Sequence, residues 1–391
     1  MVYLTYDGLT DSLGQSQIIP YVLGLSKLGH SFTIVSFEKK DRYLQSGKDV
    51  RGNLESNNIE WVALSYTKYP PVLSTVWDIA RLWRALKQIN RQHSIDIVHC
   101  RSYITALVGL RAKRKLGIKF LFDMRGFWAD ERVEGGLWSL GNPFYRIIYS
   151  FFKRKEKLFL SEADHTISLT QNARTEILSW RLNDSPITVI PTCVDVDFFS
   201  RDRVDGETQQ TFRSKLGLLP SDFVLLYLGS WGTWYLTDEM LKFFNEVKKI
   251  KPQAKFLIVS PGTIDLSNYP YKNDVEVTRA SRNEVPVYIS IADLAIFFIK
   301  PSFSKKASSA TKLGELLAMQ VPVVTNTGWG DVALNNFNGW VQYADPNHPE
   351  AFSWSFDKPA QPPNLTELSL PSGVSKYNQV YQTIMERTTI L

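Results

Sequence analysis

The sequence predicts an α/β protein made of two doubly wound, mostly parallel sheets, and three observations lead there. Short apolar runs alternate with helix-length amphipathic segments from Val2 to Asp123, and the alternation resumes at Phe223. The 391 residues are too many for one small core and suit two domains of about 150 to 200 residues each. Turn-forming, glycine-bearing stretches follow the first strand of each half, at the strand edge where open α/β sheets bind ligands.

Composition narrows the class. A hydrophobic content of 44% with 21% charged residues excludes disorder for most of the chain. The net charge of +6 attracts polyanions or an anionic membrane surface. Nucleic acid is not expected as a partner, because no basic tract with interleaved aromatics forms a reading motif. Cys100 and Cys193, the only cysteines, lie far apart at predicted strand ends, which argues for a reducing compartment. Residue 2 already begins a strand, so no signal peptide is expected. No apolar run approaches the ~20 residues of a membrane span, since Asp293 interrupts IADLAIFFI. The expectation is a cytoplasmic protein, in solution or peripheral on the membrane's cytoplasmic face.

Val2 to Tyr6 reads as a strand, YDGLTDSLGQSQ as a turn, Gln17 to Leu28 as a helix ended by Gly29, and Phe32 to Phe37 as the next strand. Gly8 and Gly14 do not fit the GxGxxG spacing, so a dinucleotide fingerprint is not supported. Strands at Ile59 to Ala63, Ile95 to Cys100 and Lys119 to Asp123 then alternate with helices at Val76 to Ile89 and Ile104 to Leu116. His99, Cys100 and Arg101 are therefore expected to face a ligand, as is the segment DMRGFWADE. In it Asp123, Arg125, Asp130 and Glu131 sit beside Phe127 and Trp128, the combination that binds sugars: charged groups for hydroxyls and a ring for the apolar sugar face. A salt-bridged loop tied down by Trp128 is the alternative. Phe144 to Phe159 is a helix both basic and aromatic, which suits an anionic membrane or, alternatively, a core face with solvated lysines. RDRVDGETQQTFR reads as an interdomain linker.

In the second half, FVLLYLGS is a buried strand, Lys255 to Val259 and Asp274 to Thr278 are further strands, and Arg279 follows at a strand end. Lys300 to Asp331 contains the most informative stretch, KKASSATKLGELLAMQVPVV. Ser308 or Ser309 is expected to cap a helix whose apolar side is Leu313, Leu316 and Leu317, leaving Ser308, Thr311, Lys312 and Glu315 on the other face. Free amides, the dipole, hydroxyls and an ammonium there suit phosphate, and a glutamate one turn further suits a ribose diol. Together they describe a nucleoside diphosphate; an ordinary surface helix with Lys312 and Glu315 as an exposed pair is the alternative. Trp340 to Tyr343 and a final helix from Val374 to Met385 complete the chain.

LGELLAMQVPVV resembles the LLEAMAxGxPVV helix of family-4 glycosyltransferases, with Glu315 at the second glutamate of their Glu-x7-Glu signature and Ala307 at the first. IPTCVDVDFF is similar to their IPNGVDxxxF signature, and the Gly8–Gly14 loop to their glycine loop. The resemblance implies the GT-B fold: two Rossmann-like doubly wound parallel-sheet domains with a cleft between them. Residues 1–200 would be the acceptor-side domain, 201–370 the nucleotide-sugar domain, and 371–391 a helix crossing back. It implies transfer of a sugar, with retention, from a nucleoside-diphosphate sugar to a hydroxyl of a glycan or lipid-linked glycan, as in surface-polysaccharide assembly. No metal or cofactor is expected.

For the donor the resemblance and the residue chemistry together assign Gly14, Gln15, Ser230, Trp231, Gly232, Arg279, Lys305, Lys306, Ser308, Ser309, Thr311 and Glu315. Catalytic roles fall to Arg125, Lys312 and Asp123, and acceptor contacts to Asp7, Phe127, Trp128 and Glu131. Two departures stand out. Arg125 lies near the place of a histidine that many of these enzymes hold, and Ser230 to Trp234 replace a basic pair, so the diphosphate would fall to Lys305, Lys306, Lys312 or backbone amides. The rival functions are a sugar-nucleotide epimerase on the same fold and a non-catalytic glycan-binding relative.

Overall fold

The computed structural model describes residues 1–182 and 185–389. Two compact units divide the chain: the first holds Met1–Pro191, Lys306–Ser309 and the chain from Leu370 onward, the second Thr192–Lys305 and Ala310–Ser369.

In the first unit the strands are β1 (Val2–Thr5), β2 (Thr33–Glu38), β3 (Glu60–Ser65), β4 (Ile97–Arg101), β5 (Lys119–Asp123), β6 (His165–Ser168) and β7 (Ile187–Val189). They form one sheet in the order β3-β2-β1-β4-β5-β6-β7, every pairing parallel. The order reverses beside β1, which places the topological switch point at the carboxyl ends of β1 and β4. Central strands are covered on both faces, so β1, β2 and β4 are buried end to end.

The second unit has β8 (Val224–Leu228), β9 (Lys255–Val259), β10 (Val275–Thr278), β11 (Leu294–Phe297), β12 (Val323–Thr325) and β13 (Val341–Tyr343). Their order is β10-β9-β8-β11-β12-β13, again all parallel. Asp293 ties β8 to β11 by accepting from the Val224 amide at 2.8 Å. Leu226, Phe243, Phe256, Ile296 and Leu317 lie in one fully enclosed core.

Several elements differ from the sequence reading. The stretch read as a turn after β1 contains a helix, Ser12–Gln17, followed by a second, Ile19–Lys27, with the break at Ile18 just before Pro20. Pro20 lacks the N–H that a continuous helix would bond there, while its fixed φ suits a first turn. Lys40–Glu55 and Gln171–Ser179 are helices the periodicity did not single out. The first is mostly polar and buries only Gly47, Val50 and Leu54; the second is short and capped by Thr170.

The supposed linker also folds. Gly206–Lys215 is a helix of the second unit, its amino end capped by Asp205 accepting from Thr208 N at 2.7 Å. Phe212 packs edge-on against Tyr288, and the Arg213 guanidinium donates to the carbonyls of Ile291, Leu219 and Asp222. The final helix spans Leu370–Thr389 and lies on Ile19–Lys27, where Gly24 is required. A Cβ at Gly24 would come within 2.6 Å of Val374. Among the described residues, no helix is long and apolar enough to cross a membrane.

Candidate functional site

At the carboxyl edge of the first sheet, charges are gathered and matched. Asp123 ends β5 with no exposed surface. Its Oδ2 accepts from Tyr377 at 3.2 Å and meets His99 Nε2 at 3.4 Å, while Arg101 lies 3.9 Å away and Arg125 Nη1 approaches Oδ1 to 3.8 Å. Burial pushes this carboxyl up, but Arg125, His99 and Arg101 outweigh it and hold it below its ordinary value. Burial likewise lowers His99, against the pull of Asp123. Arg101 also donates to Asp7 at 3.3 Å, and Arg101 and Arg125 share Gln17 Oε1 at 2.9 and 2.7 Å. Arg125 and Gly126 both have positive φ, 57° and 130°, so the chain turns sharply where β5 ends.

This arrangement alters the expected roles. Asp123 is too deeply buried to touch a substrate and acts as the counter-ion that positions Arg101 and Arg125. His99 and Cys100 are core residues, 2% and 0% exposed, rather than ligand-facing ones. Phe127 is wholly buried against Trp180 and the Lys153 ammonium, so it offers no sugar platform. Trp128 begins a helix, Trp128–Glu134, and its ring is stacked on Tyr103 with the Arg132 guanidinium 4.3 Å from its centre. Its faces are thus taken by protein, whereas Glu131 remains partly exposed on that helix. Asp7 is exposed above Arg101.

The glycine loop is built on a residue the sequence reading missed. Buried Glu38, at the end of β2, accepts from the Leu9 and Thr10 amides and from the Thr10 and Ser36 hydroxyls. Four donors satisfy one carboxylate and fix the loop in a single shape. Gly14 is buried in the helix that follows, and a Cβ there would stand 2.3 Å from the Gly8 carbonyl oxygen. Gln15 donates back to Leu9 O at 2.9 Å.

The second unit contains a different kind of charge. Lys312 lies in the helix Thr311–Ala318, 8% exposed, and its ammonium makes no hydrogen bond among the described residues. Aromatic rings surround it instead, with Nζ 3.8 Å from the centre of Tyr235, 4.5 Å from Tyr227 and 5.4 Å from Phe297. Gly229, after β8, leaves room for it: a Cβ there would be 2.6 Å from Nζ. Burial pulls Lys312 down to about 7, against the opposing influence of Glu315. Glu315, one turn on, is pushed up to about 7 by burial despite Arg282 and Lys312. A cation–π cage supplies only part of what water or an anion would.

Around this ammonium, Ser230 is exposed and its carbonyl accepts from the Tyr227 hydroxyl. Trp231 packs edge-on against Tyr227, and Gly232 has a φ of 86° in the same loop. Lys305 is 6% exposed with Nζ 3.7 Å from the centre of Trp234. Arg279 is exposed just past β10. Next to it Ser281 closes a capping box with Glu284, and Arg282 stands near Glu315 and Asp195.

Two expectations for this helix change. Its cap position is Ala310 and its first residue Thr311, so Ser308 and Ser309 precede the helix and do not cap it. Lys306, Ser308 and Ser309 belong to the first unit, where Lys306 pairs with Glu176 at 2.9 Å and its carbonyl accepts from Thr170 at 2.6 Å. Within the second unit the structure gathers Ser230, Trp231, Lys312 and Glu315. Tyr227 and Tyr235, which complete the cage, left one faint trace: a tyrosine inside an otherwise apolar strand, two residues before a glycine.

Comparison with known proteins accords with this architecture. The family model Glycosyltransferase Family 4 matches residues 21–198. An alpha-monoglucosyldiacylglycerol synthase of Streptococcus pneumoniae is 24% identical over 260 residues, 64% of this chain and 55% of that protein, so the match spans about half the relative's length. Among solved structures, a glycosyltransferase from Rickettsia africae superposes with a TM-score of 0.66 at 16% identity, covering 98% of both chains. Anabaena Alr3699/HepE, solved in complex with UDP-glucose, gives a TM-score of 0.64 at 12% identity, covering 100% of this chain and 99% of that one. In sequence this chain is similar to family-4 glycosyltransferases over residues 21–198, and its two parallel-sheet units have the architecture of the GT-B fold.

Proposed function

We propose that this protein is a glycosyltransferase that takes a sugar from a nucleoside-diphosphate donor and passes it, with retention, to a hydroxyl of a glycan or lipid-linked glycan. The observation that carries the reading is the Lys312 ammonium, buried without a hydrogen bond behind Gly229. An unpaired buried cation is costly, and a diphosphate oxygen would supply the missing partner.

In this reading the donor binds the second unit. Lys312, Lys305 and the first amides of Thr311–Ala318 stabilise charge that develops on the diphosphate as the glycosidic bond breaks. Ser230, Trp231 and Gly232 approach the phosphates through backbone groups, Glu315 accepts from the ribose diol, and Arg279 lies toward the base. Diphosphate binding raises the Lys312 pKa, and the ribose hydroxyls donating to Glu315 favour its ionised carboxylate, so each form needed for binding is reinforced by the donor. On the first unit, Arg125 and Asp7 meet the acceptor, Glu131 bonds its hydroxyls, and Gly14 with Gln15 frame the loop that Glu38 holds.

A panel of UDP-, GDP- and dTDP-sugars, read by thermal stabilisation and by NMR of donor breakdown, tests this. The matching donor at about one hundred times its Kd adds about 2.7 kcal/mol of stability. Slow release of free sugar and diphosphate supports transfer. A new sugar nucleotide points to epimerisation, and no stabilisation by any donor points to a non-catalytic relative. Lys312→Ala is expected to leave the fold intact and lower turnover by about 10²- to 10³-fold, in the range seen when one charge-stabilising group is lost. Unchanged turnover removes Lys312 from the site.

A further inference from the structure

The helix Pro143–Glu162 buries one face and leaves another without a partner. Inward go Phe152, Glu156, Phe159 and Leu160. Outward, at helical spacing, stand Phe144, Ile147 and Phe151, which are 52%, 68% and 38% exposed. Exposed Arg146, Arg154 and Lys157 border this stripe on one side, and on the other Lys155 rests its ammonium 5.6 Å from the Phe151 ring. At the helix's carboxyl end, Glu162 is paired with Arg114. Three large apolar side chains rimmed by basic groups are the pattern of a helix that lies in a membrane interface.

A second exposed set reaches the same edge. Helices Leu73–Gln92, Ser102–Leu116 and Pro143–Glu162 pack side by side on the first sheet, the middle one touching both others. The first and third each follow a carboxyl strand end, so their amino ends emerge together. At the amino end of the first, Tyr69, Leu73, Val76 and Trp77 are 53–68% exposed. Lys68 stands 5.2 Å from the Tyr69 ring and Arg84 5.6 Å from Trp77, so aromatic and basic groups are again interleaved. Between the two sets lies Arg132, over Trp128 and Trp138 and close enough to Tyr66 for their charges to interact.

We infer that this edge of the first unit docks on an anionic lipid bilayer. Phe144, Ile147 and Phe151, with Leu73 and Trp77, enter the headgroup boundary, while Arg146, Arg154 and Lys157 meet lipid phosphates. The inference does not depend on the identity of the donor. The occupant is a lipid surface rather than a protein because the apolar stripe is flanked on both sides by basic side chains, Arg146, Arg154 and Lys157 on one and Lys155 on the other, the complement of an anionic plane. Docking there would bring the acceptor-side loop after β5, which leads into this helix, next to substrates held in the membrane.

Flotation of the full chain with vesicles tests it. Binding is expected to vesicles of equal parts phosphatidylglycerol and phosphatidylcholine, not to phosphatidylcholine alone, and it should weaken with added salt. Arg154→Gln with Lys157→Gln should lower the partition constant about 25-fold, at about fivefold for each basic residue near the surface. Phe144→Ser, Ile147→Ser and Phe151→Ser together should lower it by about tenfold or more, with an unchanged melting temperature and unchanged donor binding. The inference is overturned if the wild-type chain ignores anionic vesicles at low salt. It is equally overturned if the triple variant binds them as well as wild type, or if light scattering shows a dimer that the triple variant loses.

Discussion

Asp123 and Lys312 are both charged groups removed from water, and the protein surrounds them differently. Asp123 sits among Arg101, Arg125, His99 and Tyr377, all of which face it with positive charge or a donor. Lys312 has aromatic rings and, among the described residues, no hydrogen bond. A matched buried charge belongs to the architecture: it holds its partners in place and needs nothing from outside. An unmatched one is a cost that the surrounding core offsets, and a ligand that brings the missing partner removes that cost on binding. The first unit thus carries a finished scaffold at its strand ends, and the second carries a vacancy of charge.

Removing the counter-ion is the most severe way to break this contrast. Asp123→Ala leaves two guanidiniums and a histidine facing each other in a buried site, and is expected to cost about 3–5 kcal/mol. Urea unfolding read by circular dichroism measures it. A loss below about 1 kcal/mol would mean that water reaches the cluster and that Asp123 is not its keystone.

The next effect is a pH dependence peculiar to the second unit. Glu315 has its folded pKa raised from 4.5 to about 7, so between those values the folded state holds the extra proton and stability falls as pH rises. Lys312 has its folded pKa lowered from 10.5 to about 7, so between 7 and 10.5 the unfolded state holds the extra proton and stability rises. The two limbs give a minimum near pH 7, on the order of a few kcal/mol deep at the conversion of about 1.4 kcal/mol per pK unit. Lys312→Met should abolish the alkaline limb and Glu315→Gln the acidic one in a series of thermal melts. Saturating donor should flatten both, since a diphosphate gives the ammonium its partner. A profile in the free protein that is flat across this range would show that Lys312 is already paired.

This contrast also marks where the sequence was legible. Alternating apolar runs set out β5 and β9 to the residue, because a strand buried on both faces needs nothing but apolar side chains. The helix bearing Lys312 and Glu315 was visible for the same reason, through its leucine stripe. What could not be read was the third dimension of the sites. Tyr227 and Tyr235 meet Lys312 only because β8 and its loop fold back over the helix start. Glu38 looks in the sequence like any strand-end glutamate, yet three donors of the glycine loop and the Ser36 hydroxyl converge on it. Phe127 and Trp128 were promising as a sugar platform, but an aromatic beside a strand end is equally suited to wedge a helix onto the sheet, and both do. Polar segments misled most, since Lys40–Glu55 and Gly206–Lys215 have too few apolar residues to declare a face.

That last helix supplies the smallest and sharpest test, because it contains a second-unit cation that is matched without any carboxylate. Arg213 donates to three main-chain carbonyls, those of Ile291 at 3.1 Å, Leu219 at 2.7 Å and Asp222 at 2.8 Å. These tie Gly206–Lys215 to the turn before β8 and to the turn before β11. Arg213→Met keeps most of the side chain's length and apolar stem while removing every donor, so about 2 kcal/mol should be lost, the scale of charge-assisted bonds whose acceptors partly recover water. Lys312→Met, the loss of another cation in the second unit, should cost nothing in stability at neutral pH in the same melts, since among the described residues its ammonium has no hydrogen bond to lose. A loss for Arg213→Met and none for Lys312→Met would separate structural charge from charge held ready for a ligand; equal losses would make Lys312 one more structural cation and remove the ground for placing a diphosphate beside it.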